Sequence, residues 1–349
     1  MNRRIAAKGE VMKSFLKMVA AVCAAMLVPA SAAADFNGAG GTAIYPVLSV
    51  WAQKYQEKTG KSVNYQAIGS GGGIAQIKAK TMDFANSDKP LSHEDLTAAG
   101  LVQFPQVVIS IVPVVNLSTI KSGELVLDGT TLADIFLGKI VKWNDPAIKK
   151  LNPKVKLPET AVLVAHRSDG SGTTFNFTDY LAKVSPEWKT AVGSDTAVSW
   201  PIGVGGKGNA GVAAAVQQTA GSIGYVEYAY AKQNNLVTVD LVNAAGKRVK
   251  PTMEAFESAA AHADFAKVQD FRLILTDQPG AKSWPIIAAT FMLMRTDVEP
   301  AKNREILKFL DYALHEGKAD SEKLDYVSFP EATIKQIEAS WKANLHAWP

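Results

Sequence analysis

Residues 161–184, AVLVAHRSDGSGTTFNFTDYLAKV, pass from an apolar β-branched run through a glycine- and serine-rich turn into an amphipathic segment. Residues 161–165 read as a strand, Asp169-Gly170-Ser171-Gly172-Thr173 as a tight loop, and 173–184 as a helix. The same alternation runs outward in both directions. Ile44, Val47, Leu48, Trp51 and Tyr55 recur at helical spacing before Thr59-Gly60, 62–68 reads as a strand, and 74–80 as a helix after a second glycine-rich loop. The β-branched run 107–112 is a candidate buried strand, 223–228 and 284–294 are further strands, and 301–315 and 330–345 are helices with one apolar stripe each. Strands and helices alternating to the end of the chain predict an α/β protein.

With 47% hydrophobic and 20% charged residues among 349, the composition excludes a disordered or fibrous chain. Residues 1–34 read as an export signal. Arg3, Arg4, Lys8, Lys13 and Lys17 form a basic start, 18–28 are almost wholly apolar, and Ala32-Ala33-Ala34 offers a cleavage site near Ala34. The apolar run is short for a membrane span, and Met12 offers a second translation start. Five of the 37 basic and one of the 33 acidic residues lie in this segment, so the following 315 residues carry 32 of each. The formal charge of +4 therefore belongs to the signal and supplies no argument for nucleic acid or an anionic membrane as partner. Cys23, the one cysteine, sits in the signal's apolar core, so the remaining chain forms no disulfide.

At 315 residues a single core nears its usual upper size, which predicts two lobes. No polar linker separates them, so the chain is expected to cross between lobes within ordered strands. Pro113 interrupts the 107–115 run and cannot donate to a sheet ladder, which marks one crossing, and Pro285 marks another. The expected lobes are 35–112 with 285–349, and 113–284.

Three Gly/Ser/Thr-rich segments precede predicted helices: 38–42 (GAGGT), 69–73 (GSGGG) and 169–173 (DGSGT). The first turn of a helix leaves its N–H groups without intrahelical acceptors, and glycine lets a ligand approach them. Singly, each reads as an ordinary capped helix start; three together point to an oxyanion cradle. Arg167 offers a forked donor that Asp169 could hold from the side, although the pair alone also reads as a surface ion pair and an N-cap. Asp88, just past the second cradle, would repel a bare anion but accept the O–H of a protonated one, which separates phosphate from sulfate. Alone, it reads as a turn cap before Lys89-Pro90.

Other motifs carry less. The run 203–208 (GVGGKG) fits a dinucleotide fingerprint formally, but it stands late in an exported chain and reads as a loop before a helix at 211–218. The five histidines are scattered without a metal-binding spacing, so no metal site is expected. The basic stretch 149–156 reads as a solvated face.

With Arg167-Ser168-Asp169-Gly170-Ser171-Gly172-Thr173, Val63-Asn64-Tyr65-Gln66, 83–88 (DFANSD), 121–129 (KSGELVLDG) and 223–231 (IGYVEYAYA) in view, the chain resembles the phosphate-binding proteins of bacterial phosphate ABC transporters. The resemblance spans essentially the whole chain after the signal. It implies a type II-like periplasmic binding protein whose two α/β lobes, hinged on two crossing strands, close over one desolvated, protonated phosphate. The implied ligand contacts are Thr42, Ala43 through its N–H, Ser70, Asp88, Arg167, Ser171, Gly172 and Thr173, with Asp169 supporting Arg167. It further implies a periplasmic monomer without cofactor or enzymatic activity, whose partners are inorganic phosphate and the transmembrane permease subunits. Ala43 stands where the family usually has phenylalanine, Gly71 where a second serine is common, and His166 where a second arginine is common. A sulfate or molybdate carrier is disfavoured by Asp88, and a hydrolase acting through Ser171 lacks an evident base other than His166.

Overall fold

The computed structural model describes residues 34–348, so the expected export segment, with Met12 and Cys23, lies outside the described residues except for Ala34. No helix among the described residues is long and apolar enough to cross a membrane. In chain order the strands are β1 (Phe36–Gly40), β2 (Val63–Ala67), β3 (Phe84–Ser87), β4 (Leu101–Val115), β5 (Val126–Leu127), β6 (Leu163–Arg167), β7 (Val204–Gly206), β8 (Ser222–Glu227), β9 (Val237–Thr238), β10 (Asp240–Val242), β11 (Arg248–Val249) and β12 (Ile287–Arg295). The main sheet has the order β2-β1-β3-β12-β4-β8-β6-β7, with β9 also on β4, and β11-β10-β5 form a small separate sheet. One flank is parallel, β1 running with β2 and β3. So is the other, β6 running with β7 and β8. Between them β12 and β4 run antiparallel to their neighbours.

The long strand β4 is common to both flanks. Its residues 101–110 pair with β12, and residues 111–115 pair with β8. The exchange of partner thus falls between Ser110 and Ile111, two residues before Pro113, which stays within the strand opposite Tyr225. Both polar groups of Ile111 are met from the segment entering β12: its N–H donates to Ile286 O at 2.9 Å, and Trp284 Nε1 donates to Ile111 O at 2.9 Å. The second proline of β4, Pro105, sits at a register shift. Phe291 faces Pro105 and Thr290 faces Val107, so Gln106 is left over in a bulge that tolerates the missing proline donor.

Every residue of β4 and β12 is buried except Val102 and Arg295. That is the signature of a sheet covered on both faces, and it explains why these strands are continuous apolar runs rather than alternating ones. Helices supply the cover. Trp51 of the helix Tyr45–Thr59 and Trp341 of the helix Glu331–Leu345 are fully buried, and Trp341 meets Phe104 of β4 edge-on with centroids 5.3 Å apart.

Two glycine-rich segments that read as loops are regular structure. Residues 38–40 belong to β1, and Ser70 opens the helix Ser70–Lys78, so the glycines at 71–73 form its first turn. The reason is close packing of helix against strand. A Cβ on Gly73 would lie 2.5 Å from Gly40 Cα and 2.7 Å from Ala39 O, both backbone atoms. Gly73→Ala is therefore expected to lower unfolding stability by about 2 kcal/mol, as an overpacked core does; a urea unfolding midpoint equal to that of the wild type would contradict this packing.

Candidate functional site

The site grows out of strand ends. Thr42 follows β1, Ser70 follows β2 and Asp88 follows β3, while Arg167 is the last residue of β6 and Gly208 lies just past β7. In each flank the strands involved are parallel, so their carboxyl ends and the helix starts behind them gather on one edge, as is general for ligand crevices of α/β sheets. The two edges meet face to face. Gly71 N–H donates across to Gly170 O at 2.9 Å, and Asn176 Nδ2 donates to Asp88 O at 2.7 Å.

All the contact residues that the resemblance implies come together here, and with the supporting Asp169 counted, all but that partly exposed aspartate are buried. Ser70 Oγ accepts from Asp88 N at 3.2 Å and from Gly172 N at 3.1 Å. A hydroxyl oxygen has two acceptor positions, so Ser70 is left with a proton to donate elsewhere. Gly172 N–H, expected to face a ligand, is engaged with Ser70 in this arrangement. Gly172 must be glycine: a Cβ there would lie 2.5 Å from Asp88 Cβ and 2.6 Å from Ser70 Oγ. Ser171 caps the helix Gly172–Val184 by accepting from Thr174 N at 3.0 Å, which leaves its hydroxyl proton free to donate as well.

Arg167 is clamped side-on. Nε donates to Asp169 Oδ1 at 2.8 Å and Nη2 to Asp169 Oδ2 at 2.6 Å, while Nη1 lies 3.4 Å from Thr173 Oγ1. Asp169 also accepts from Gly208 N at 2.9 Å. Burial alone would raise the Asp169 pKa, but the Arg167 hydrogen bonds and charge outweigh it and hold the carboxyl below its usual range. The peptide between Thr42 and Ala43 is also fixed. Tyr230 OH donates to Thr42 O at 2.8 Å, which aims the Ala43 N–H the opposite way.

Asp88 is the group that gives the site its chemistry. Its Oδ1 accepts from Thr290 Oγ1 at 2.7 Å, whereas no described protein donor reaches the buried Oδ2. Burial pushes its pKa from 3.8 to about 6, against the Thr290 hydrogen bond and the Arg167 charge, so at neutral pH it is a carboxylate with a free acceptor oxygen. An array of N–H and O–H donors around one acceptor suits an oxyanion that carries a proton. His166, the one base weighed for hydrolysis, stacks on Trp200 at 4.8 Å, with Nδ1 3.0 Å from Arg167 O. Among the described residues, Asp311, His315 and Glu338 bring three potential metal-ligand atoms within 4.8 Å of one another, on the C-terminal helices outside this site. They are also paired with each other, His315 Nε2 lying 3.4 Å from Asp311 and 3.2 Å from Glu338.

Sequence reasoning missed Asn209, Tyr230 and Thr290, which line the back of the site. Asn209 had a signal. The run 203–209 is a fourth glycine-rich passage from strand to helix, and the helix begins at Gly208 rather than at Gly211. Thr290 and Tyr230 carry no such mark, because tertiary pairing alone brings them in.

Fold and site together define a two-lobed solute-binding protein of the periplasmic binding-protein class. A family model described as a PBP superfamily domain matches residues 27–316. The phosphate-binding protein PstS of Xylella fastidiosa is 54% identical over 310 residues, covering 88% of this chain and 85% of that protein. The PstS of Pasteurella multocida is 51% identical over 314 residues, covering 90% and 91%. A putative phosphate ABC transporter substrate-binding protein from Clostridium perfringens, solved with bound phosphate, shares the fold at a TM-score of 0.62 and 18% identity, covering 84% of this chain and 99% of its own. The chain belongs to the PstS family of phosphate-binding proteins.

The raised pKa of Asp88 has a measurable sign. The folded ligand-free protein holds this proton more tightly than the unfolded chain, so its contribution is fully present below about pH 4 and is lost as pH rises through about 6. Asp88→Asn does not titrate. The stability difference between wild type and variant, measured by urea unfolding from pH 4.5 to 8, is expected to move in the variant's favour by about 2 kcal/mol; a flat difference would mean that Asp88 is not desolvated.

Proposed function

We propose that this protein binds one inorganic phosphate between its lobes in the periplasm and delivers it to the permease subunits of an ABC-type importer, acting as a monomer and doing no chemistry on its ligand. The observation that carries this reading is Asp88 Oδ2, a buried carboxylate oxygen without a protein donor, set beside Ser70, whose acceptor positions are filled by N–H groups. The proposed contacts are Thr42, the Ala43 N–H, Ser70, Asp88, Arg167, Ser171 and Thr173, with Gly172 N–H holding Ser70 and Asp169 holding Arg167. Relatives named phosphate-binding protein PstS support the ligand, and the name of the phosphate ABC transporter protein that shares the fold supports the delivery role. The chain's basic, apolar and small-residue start supports export with cleavage near Ala34.

Neutral dipoles do most of the work in this reading. Arg167 is already matched by Asp169, so the ion is stabilised by directed donors rather than by net positive charge. Thr42, Ser70 and Asp88 come from the flank of β1, β2 and β3, and Arg167, Ser171 and Thr173 from the flank of β6. A ligand that needs both sets favours the closed arrangement, so binding shifts an equilibrium between open and closed forms.

Calorimetry of the purified protein is expected to show tight binding of phosphate and none of sulfate at neutral pH; equal binding of both would overturn the role of Asp88. Asp88→Asn should narrow the preference for phosphate over sulfate by at least tenfold. Arg167→Ala should weaken phosphate binding about a hundredfold or more, since it removes a buried charge-assisted donor and strands Asp169. Near wild-type affinity would place Arg167 outside the contact set.

A further inference from the structure

Thr42 and Thr173 come from opposite flanks of the sheet, and one side chain joins them. Asn209, fully buried in the first turn of the helix Gly208–Gln218, donates from Nδ2 to Thr42 Oγ1 at 2.8 Å and lies 3.3 Å from Thr173 Oγ1. Its amide orientation is dictated from behind. Asn209 Oδ1 lies 2.8 Å from the backbone N–H of Glu227, which can only donate, so the oxygen must face Glu227 and the NH2 must face the two threonines.

We infer that Asn209 is a positioning residue that makes the Thr42 and Thr173 hydroxyls obligate donors toward the ligand. This rests on the phosphate reading above. A free threonine hydroxyl can either give or accept a hydrogen bond, and such a hydroxyl selects nothing. Here Thr42 Oγ1 receives both Asn209 Nδ2 and, at 3.2 Å, Asn209 N. Thr173 Oγ1 receives Asn209 Nδ2 and, at 3.4 Å, Arg167 Nη1. With both acceptor positions of each oxygen taken by N–H groups, the single proton of each hydroxyl has only the ligand side left. Ser70 reaches the same state through two backbone amides, but the threonines reach it through one side chain.

The consequence is an oriented ligand. Three hydroxyls that can only give leave Asp88 Oδ2, which can only take, and Ser171 Oγ, with one acceptor position open, to receive the ion's own proton, and the charged carboxylate oxygen is the stronger acceptor. Asn209 also bridges the flanks, so the donor polarity it imposes on Thr42 exists only when they are closed together.

Neutron diffraction from crystals of the deuterated wild-type protein with inorganic phosphate reads this directly. The deuterons on Thr42 Oγ1 and Thr173 Oγ1 are expected on the phosphate side, with Asn209 Nδ2 deuterons pointing at both oxygens. A threonine deuteron directed at Asn209 would overturn the inference while leaving phosphate binding intact; a wild-type protein that takes up no phosphate would instead defeat the reading of the site. Asn209→Leu, close to isosteric and uncharged, gives a second measurement. Its phosphate affinity should fall at least tenfold, about the loss of one to two directed hydrogen bonds, at a melting temperature that shows the variant folded. Wild-type affinity in the folded variant would equally sink the inference, and if the variant does not fold the deuteron positions decide.

Discussion

A small charged ion taken out of water must have nearly every oxygen hydrogen-bonded, and the proposed site offers donors for this without surplus positive charge. Arg167 is matched by Asp169 and Asp88 adds a further negative charge, so formal charge within the site does not attract a phosphate. What remains is direction. Helix first turns present N–H groups, hydroxyls whose acceptor positions are filled present O–H groups, and each must aim at the same point. This is a constraint on backbone before it is one on side chains, because an amide cannot be re-aimed by a rotamer. It requires strands β1, β2 and β3 to end together, β6 to end opposite them, and glycine where the two backbones touch.

The rest of the fold can be understood as the means of bringing those edges together. Gly71 and Gly170 meet backbone to backbone, and Gly172 leaves room for Asp88 and Ser70. The two flanks are joined through β4, whose partner changes at Ile111, and the polar groups of that residue are met by Trp284 and Ile286 from the entry to β12. Trp284 and Ile286 thus satisfy the backbone of β4 at the residue where its partner changes.

How much of this was legible in the sequence follows from where each signal is stored. Junctions between strand and helix are local, and the segments around Thr42, Ser70 and Arg167 announced themselves through glycine, serine and threonine before amphipathic runs. Their exact form was not local. The glycines at 38–40 and 71–73 read as loops because glycine is poor in regular structure, yet they occupy a strand and a helix turn because Gly73 packs on the backbone of Gly40. Pro113 reads as a crossing between lobes, yet it stays within β4 opposite Tyr225, and the partner exchange sits at Ile111, where Trp284 arrives from 173 residues away. Asn209, Tyr230 and Thr290 act across long separations, and of these only Asn209 stood in a stretch whose composition resembled the other cradles.

Two buried carboxyl groups show why equal burial does not produce an equal pKa shift. Glu227 at the end of β8 is as deeply buried as Asp88, and desolvation raises both. The opposing influences differ. Asp88 has the Thr290 hydroxyl and the Arg167 charge to favour its ionised form, and its pKa stops near 6. For Glu227, burial and the negative charge of Asp88 outweigh the hydrogen bond from Ala229 N at 3.0 Å and the nearby Tyr326 hydroxyl, and its pKa lies well above its ordinary value. An ionised Asp88 thus adds to the burial that raises Glu227. The single Tyr326 proton goes to Ala43 O at 2.7 Å, a carbonyl that can only accept, so this hydroxyl ties Glu227, 3.2 Å away, to the loop carrying Thr42 and Ala43. Burial therefore acts alike on both carboxyls, and what separates them is that Asp88 has the Arg167 cation within reach whereas Glu227 has the Asp88 carboxylate.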